Sequence, residues 1–243
     1  PRELEVDFNG RGPDTTPEDS TAPAGVASES VSAIPFDASQ YETLTTQKDL
    51  QNWIEAATAK GIVAVDTETS SLDAMQADLV GVSLSLNPGK ACYIPLQHRT
   101  GEDLFDEGLS SDQIPLEEAL SLLKPLLEDA AVLKIGQNLK YDFLVLKRYG
   151  ISLAPLDDTM LMSYVLNSGV HGHGMDELSN RYLSHQCISF SDVAGSGKSQ
   201  ISFDKVPIEE ASTYAAEDAD VTLRLYHLFK KRLAREKVTA IYE

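Results

Sequence analysis

The sequence predicts an α/β fold in which a central mixed β-sheet is flanked by helices. Three strand-like apolar runs come close together in the first half of the chain, at residues 62–67, 79–86 and 91–95. A turn at residues 87–90 joins the last two, which predicts an antiparallel meander. Helix-like and strand-like segments then alternate along the rest of the chain, and this order is typical of α/β sandwiches.

The individual elements follow from local patterns. Thr46 is a suitable N-cap for a helix over residues 48–60. Apolar residues spaced three and four apart predict a long helix at 208–235 that ends the chain. The other predicted elements are a helix at 116–127, a strand at 131–135, a helix after it through residue 149, a strand leading into a helix at 156–166, a helix at 175–183 and an irregular loop at 188–206.

The N-terminal segment differs in composition from the rest. Residues 1–38 are rich in Pro, Ser, Thr, Ala, Gly and acids, which predicts a disordered linker or tail. Residues 39–243 are predicted to form one domain. The first residue is Pro1 rather than methionine, which indicates a fragment or a processed chain. No apolar stretch has the length of a membrane span and no secretory signal is visible, so we expect a cytoplasmic protein with no membrane partner.

Charge and cysteine content limit the possible functions. The net charge of −18 argues against a protein that binds a polyanion over its whole surface. It does not exclude nucleic acid as a substrate, because bound cations reverse the local charge that a phosphate meets. Cys92 and Cys187 lack a metal-type spacing, so we expect reduced, partly buried thiols. We expect His98, His185 and His227 to be surface or helix-edge residues.

An acidic pair marks the end of the first predicted strand. Asp66 and Glu68 alternate with Thr67, so their side chains should project from the same face of the strand. Two adjacent carboxylates repel each other unless a cation neutralises them, and a divalent metal with oxygen ligands is the simplest remedy.

Two later segments offer further carboxylates. Asp142 falls near the first turn of a predicted helix, where it could simply complement the helix dipole. Asp218 lies on the inward stripe of the long helix, where a charge needs a partner, and Tyr214 lies one turn earlier. Glu217 and Asp220 lie off that stripe, so we expect both to be solvated.

These three segments, in this order, resemble the motifs of the DEDD superfamily of 3′–5′ exonucleases. The motifs are Asp66-Thr67-Glu68, Asn138-Leu139-Lys140-Tyr141-Asp142 and the tyrosine-containing Tyr214-Ala215-Ala216-Glu217-Asp218. Over residues 40–243 the likeness is to the proofreading domains of bacterial family A DNA polymerases. The resemblance implies a ribonuclease-H-like fold and two divalent ions, Mg²⁺ or Mn²⁺.

The resemblance also implies roles for the site residues. Asp66, Glu68 and Asp218 would bind one metal, Asp66 would bridge to the second, and Asp142 would reach that second metal largely through water. Tyr214 would orient the attacking water. The substrate contacts that it implies are Thr67, Leu72, Gln137, Asn138, Tyr141, His173 and Phe190. Alternatives stay open for several of them: Leu72, Phe190 and Tyr214 as packing residues, Gln137 and Asn138 as helix caps, and Asp218 as a buried ion-pair partner.

The function that this implies is removal of nucleotides from single-stranded or frayed DNA 3′ ends, as an editing domain attached to a polymerase at the bacterial nucleoid. Two metals can activate a water and stabilise the departing oxygen of a phosphodiester. One rival is an RNA 3′ exonuclease of the ribonuclease D type, which shares the motifs. A second rival is a catalytically silent structural module, whose expected signature is a missing carboxylate.

Overall fold

A six-stranded mixed sheet forms the centre of the protein, in a computed structural model that describes residues 34–99 and 108–243. The strands are β1 (Glu42–Thr43), β2 (Ile62–Thr69), β3 (Leu79–Asn87), β4 (Lys90–Pro95), β5 (Leu133–Gly136) and β6 (Leu156–Asp158). Their order across the sheet is β1-β4-β3-β2-β5-β6. The predicted meander β2-β3-β4 is antiparallel, and β5 and β6 extend it in parallel from β2. The α/β class with a mixed sheet is therefore confirmed.

Helices cover both faces of this sheet. They are α1 (Gln47–Lys60), α2 (Leu116–Glu128), α3 (Leu139–Arg148), α4 (Thr159–Asn167), α5 (Met175–Leu183), α6 (Phe190–Ala194), α7 (Ile208–Arg235) and α8 (Thr239–Tyr242). One apolar core lies between the sheet and α1, α2 and α3, and a second lies between the sheet and α4, α5 and α7. Within the described ranges, no helix combines the length and the apolarity that a membrane span requires.

The structure differs from the predicted elements in three places. The segment at 188–206 is not wholly irregular, because a capping box between Ser189 and Asp192 starts the short helix α6. Two 3₁₀ turns, Gly197–Ser199 and Phe203–Lys205, follow in the same segment. The two-residue edge strand β1 and the terminal helix α8 were not predicted, since elements this short carry almost no periodic signal.

The predicted tail falls mostly outside the described residues, but its last part packs against the domain. The guanidinium of Arg224 donates to the carbonyl of Ile34 at 2.5 Å and lies 3.9 Å from the centre of the Phe36 ring. Ile34 and Phe36, which lie within the predicted tail, therefore contact α7.

The middle of α7 is buried on all sides, which makes one prediction about it wrong. Glu217 and Asp220 were expected to be solvated, yet Glu217 is 7% exposed and Asp220 is fully buried. Asp220 forms an ion pair with Arg224 at 2.9 Å and accepts hydrogen bonds from Tyr41 and from the backbone of Gly89, both at 3.0 Å. A charge on either face of this helix needs a partner, because α7 is enclosed by the sheet and by the segments before β1 and after α5.

His98 is also buried, contrary to the expectation of a surface residue. Its Nε2 shares a hydrogen bond of 2.8 Å with the Tyr93 hydroxyl, and its Nδ1 lies 2.9 Å from the carbonyl of Val206. Burial lowers the pKa of this imidazole. The residue therefore joins β4 to the segment that leads into α7.

Candidate active site

The pleat of β2 sends its acidic pair and its neighbouring threonine to opposite faces of the sheet. Val63 and Val65 belong to the core on the α3 side, whereas Ala64 belongs to the core on the α7 side. Because side chains alternate along a strand, Asp66 and Glu68 continue the face of Ala64 and point towards α7. Thr67 continues the face of the two valines and points towards α3.

Helix α7 completes a three-carboxylate cluster on the first of these faces. Oxygen atoms of Asp66, Glu68 and Asp218 all lie within 4.8 Å of one another. Asp66 is half-buried, and Glu68 and Asp218 are buried. The structure thus brings together three of the four carboxylates that the sequence singled out.

The electrostatics of this cluster favour the binding of a cation. Burial raises the pKa of Asp66 well above its ordinary value, and the neighbouring charges of Asp142, Glu68 and Asp218 raise it further. Burial and the charges of Asp218 and Asp142 do the same to Glu68, and burial and Glu217 do so to Asp218. Three carboxylates that repel one another in a buried space are an all-oxygen donor set, which fits a hard divalent ion such as Mg²⁺ or Mn²⁺.

Asp142 reaches the cluster from the opposite side of the strand, through Thr67. Thr67 donates its backbone N–H at 3.0 Å and its hydroxyl at 2.6 Å to the same carboxylate oxygen, Oδ1 of Asp142. Burial raises the pKa of Asp142 to about 6, although the hydrogen bonds from Thr67 lower it. Asp142 is therefore held beside the three-carboxylate cluster rather than within it.

Tyr214 lies in an aromatic group at the edge of the cluster. Burial together with the charges of Asp218 and Glu68 raises its pKa, so the phenol stays protonated. Its ring centre is 5.8 Å from that of Phe203 and 6.4 Å from that of Phe190.

Two apolar side chains that the sequence proposed as base contacts are open to solvent. Leu72 is 96% exposed in the loop after β2, and Phe190 is 39% exposed beside Tyr214. The alternative in which Leu72 is a core residue is therefore wrong. Aromatic and apolar side chains beside a nuclease site can stack on unpaired bases of any sequence.

Gln137 and Tyr141, which were also predicted as substrate contacts, already have side-chain partners within the protein. The side-chain amide of Gln137 donates to the carbonyl of His173 at 2.8 Å and accepts from Thr159 at 2.5 Å. Asn138 precedes α3 with a left-handed backbone (φ 62°), and its side chain does not cap the helix. The Tyr141 hydroxyl is bonded to Thr69 at 2.5 Å and to the carbonyl of Ser71.

His173 contacts Gln137 through its backbone carbonyl. Its Nδ1 is 2.9 Å from the Ser163 hydroxyl, and its ring lies 5.1 Å from that of Tyr164 and 5.4 Å from that of His171. Burial lowers the pKa of His173, and the neighbouring His171 lowers it further.

Sequence reasoning missed the residues that lie beneath the acidic pair. Gly81 is the cross-strand partner of Glu68, and a Cβ on this glycine would stand 2.1 Å from the Tyr93 hydroxyl. Only a glycine leaves room for Tyr93, which occupies the floor of the site and bonds to His98. A glycine inside a strand is the sequence signal for such a close approach.

Comparison with known proteins agrees with this geometry. The family model described as 3'-5' exonuclease matches residues 41–234. The chain belongs to this exonuclease family. Among curated proteins, the DNA polymerase I of Rhizobium leguminosarum is 51% identical over 239 residues, covering 93% of this chain and 24% of that protein. The chain therefore spans about a quarter of the relative's length.

Solved structures with the same fold are more distant in sequence. Brucella melitensis NrnC with bound Mg²⁺ aligns with a TM-score of 0.55 and 22% identity, covering 84% of this chain and 85% of that one. Escherichia coli RNase D, an exoribonuclease involved in structured RNA processing, aligns with a TM-score of 0.57 and 19% identity, covering 78% of this chain and 44% of that one. These structural similarities confirm that the chain has a ribonuclease-H-like fold.

Proposed function

We propose that this protein removes nucleotides one at a time from DNA 3′ ends, with two divalent metal ions, as the editing domain of a DNA polymerase I-type enzyme. The observation that carries the proposal is the carboxylate cluster at the end of β2, with Asp142 beside it and Tyr214 at its edge. All four acids of the family motifs are present, which weighs against a catalytically silent module.

The chain's own residues would bind and orient the reactants. Asp66, Glu68 and Asp218 would hold one ion, and Asp142, kept in place by Thr67, would serve the second. Bound divalent ions supply the activated water and the charge that stabilises the departing 3′ oxygen. The protonated Tyr214 hydroxyl, one helical turn from Asp218, would hold the attacking water in line with the phosphorus.

The exposed apolar side chains would engage the substrate. Leu72 and Phe190 would pack against the terminal bases of a frayed strand, because they are accessible from solvent and Phe190 contacts the ring of Tyr214. Stacking of this kind is independent of base sequence, which suits an enzyme that must remove any misincorporated nucleotide. The same proposal places the protein in the bacterial cytoplasm, at the nucleoid, with the polymerase domain covalently attached.

The decisive experiment compares substrates with Mg²⁺ present and with Asp66→Ala as the control. Single-stranded DNA and mismatched primer ends should be degraded faster than matched duplex, because unpairing a matched end costs a few kcal/mol and a mismatch costs less. Equal rates on matched and mismatched ends would contradict the editing role. Faster hydrolysis of a structured RNA 3′ end than of DNA would favour the ribonuclease D-type function.

A further inference from the structure

A second group of side chains that could ligate a metal lies next to the carboxylate cluster. His185, Cys187 and Glu217 each offer one ligand atom, and the three atoms all lie within 4.8 Å of one another. Cys187 and Glu217 are buried and His185 is half-buried. Among the residues that the structure describes, these three and the carboxylate cluster are the groups with this geometry.

The fold brings the three side chains together through an extended segment and a helix. The segment at 184–189 runs without regular structure between α5 and α6, and it brings both His185 and Cys187 to Glu217. Glu217 comes from α7, one residue before Asp218 and on a different face. The His-x-Cys spacing was therefore a sequence signal, although we expected no ligand spacing at either residue.

Contacts around the group hold its ligand atoms in position. The backbone N–H of Ile188 donates to Oε2 of Glu217 at 2.6 Å, which turns Oε1 towards Nε2 of His185 at 2.9 Å. The Phe36 ring stacks on the imidazole with ring centres 3.6 Å apart. Orientation of ligands by outer contacts of this kind is a regular feature of protein metal sites.

The geometry points to a zinc site formed by His185, Cys187 and Glu217, separate from the nuclease metals. Three atoms within 4.8 Å of each other share a centre at most about 2.8 Å from each, so shifts of less than ~1 Å would reach zinc-ligand distances of about 2.0–2.3 Å. A thiolate, an imidazole and a carboxylate suit Zn²⁺, whereas Mg²⁺ avoids sulfur. The fourth position is left to water.

Binding would replace the thiol proton of Cys187. Burial raises the pKa of the Cys187 thiol to about 12, so the metal-free thiol is protonated and inert. The ion would displace the thiol proton of Cys187, which would leave to solvent, and it would bind Nε2 of a neutral His185 whose hydrogen is carried on Nδ1. The bound ion would fasten the segment before α6, which carries Phe190, to α7.

Cobalt(II) is the probe for the first test, because a thiolate-bound cobalt ion gives a charge-transfer band in the near ultraviolet that carboxylate ligands do not give. The wild-type protein is titrated with Co²⁺ in excess Mg²⁺, in parallel with Cys187→Ser and with the matched control Cys92→Ala. Cys92 is the other cysteine of the chain and lies buried in β4. The band should appear in the wild type and in Cys92→Ala and be absent in Cys187→Ser. Absence of the band in the wild type, or its loss only in Cys92→Ala, overturns the proposal.

Thermal unfolding with Zn²⁺ gives a second readout and an independent variant. Zn²⁺ in excess Mg²⁺ should raise the Tm of the wild type, because a ligand that binds only the folded state stabilises it. His185→Gln should weaken the apparent Zn²⁺ affinity at least about tenfold, since even outer-contact changes cost that much at metal sites. Equal Zn²⁺ affinity in wild type and His185→Gln overturns the proposal, and this comparison decides the matter if Cys187→Ser does not fold.

Discussion

Thr67→Val isolates the bond that positions Asp142. The substitution keeps the β-branched shape and removes the hydroxyl that donates to Oδ1 of Asp142 at 2.6 Å, while the backbone N–H at 3.0 Å remains. A hydrogen bond to a charged acceptor contributes roughly 1.5–3 kcal/mol. Because the lost bond favours the ionised form, the pKa of Asp142 should rise by roughly one unit from its value of about 6.

The magnitude sets the conditions of the assay. At pH 6 a rise of about one unit lowers the ionised fraction of Asp142 roughly fivefold, whereas at pH 8 the fraction hardly changes. Apparent Mg²⁺ affinity, measured from the Mg²⁺ dependence of single-stranded DNA hydrolysis, should therefore fall much more at pH 6 than at pH 8. Thr69→Val is the matched control, because it makes the same change on the same strand, at a hydroxyl that bonds to Tyr141. An identical Mg²⁺ and pH dependence in Thr67→Val and wild type would refute the role assigned to this bond.

Three further outcomes are expected. Asp66→Ala should abolish hydrolysis, because it removes a metal ligand. It should also raise the Tm of the metal-free protein, because it relieves the repulsion between the carboxylates. Near-normal turnover would contradict the metal assignment. Tyr214→Phe should lower kcat roughly ten- to a hundredfold and leave the DNA Kd unchanged. The pH–rate profile should keep its shape, because the raised pKa of the phenol keeps it from titrating. An unchanged kcat would make Tyr214 a packing residue. The raised pKa values of Glu68 and Asp142 mean that the folded metal-free protein binds more protons than the unfolded chain. Its Tm should therefore fall as pH rises from about 4 through 6. The increase in Tm on adding Mg²⁺ should become larger over the same pH range. A Mg²⁺ effect that is equal at pH 5 and pH 8 would contradict this sign.

The carboxylate cluster was predictable because two simple periodicities determine it. Alternation along β2 puts Asp66 and Glu68 on one face, and the i, i+3, i+4 pattern of α7 puts Asp218 on the stripe that meets that face. The helix bounds of α5 and α7 also agree with the predicted ranges to the residue. Both kinds of prediction depend on local geometry, which the sequence encodes directly.

The partners of the other buried polar groups were not predictable in this way. Asp220 and Glu217 lie off the inward stripe, and they are buried only because distant segments fold over α7. His98 is buried because Val206, more than a hundred residues later, returns to β4. Such contacts depend on how the chain packs, and no periodic pattern within one element reports them.

The two faces of β2 explain how this site keeps four like charges close together. Asp66 and Glu68 face α7, where Asp218 completes the cluster, while Thr67 faces α3 and holds Asp142 by two hydrogen bonds. The strand itself therefore separates the fourth carboxylate from the other three, and each part of the site is fixed by a different helix. Because the acids are concentrated at one strand end, bound cations would make this spot attractive to a phosphate even on a chain of net charge −18. The acidity of the chain and a nucleic-acid substrate are thus compatible for the same physical reason that the site requires metal.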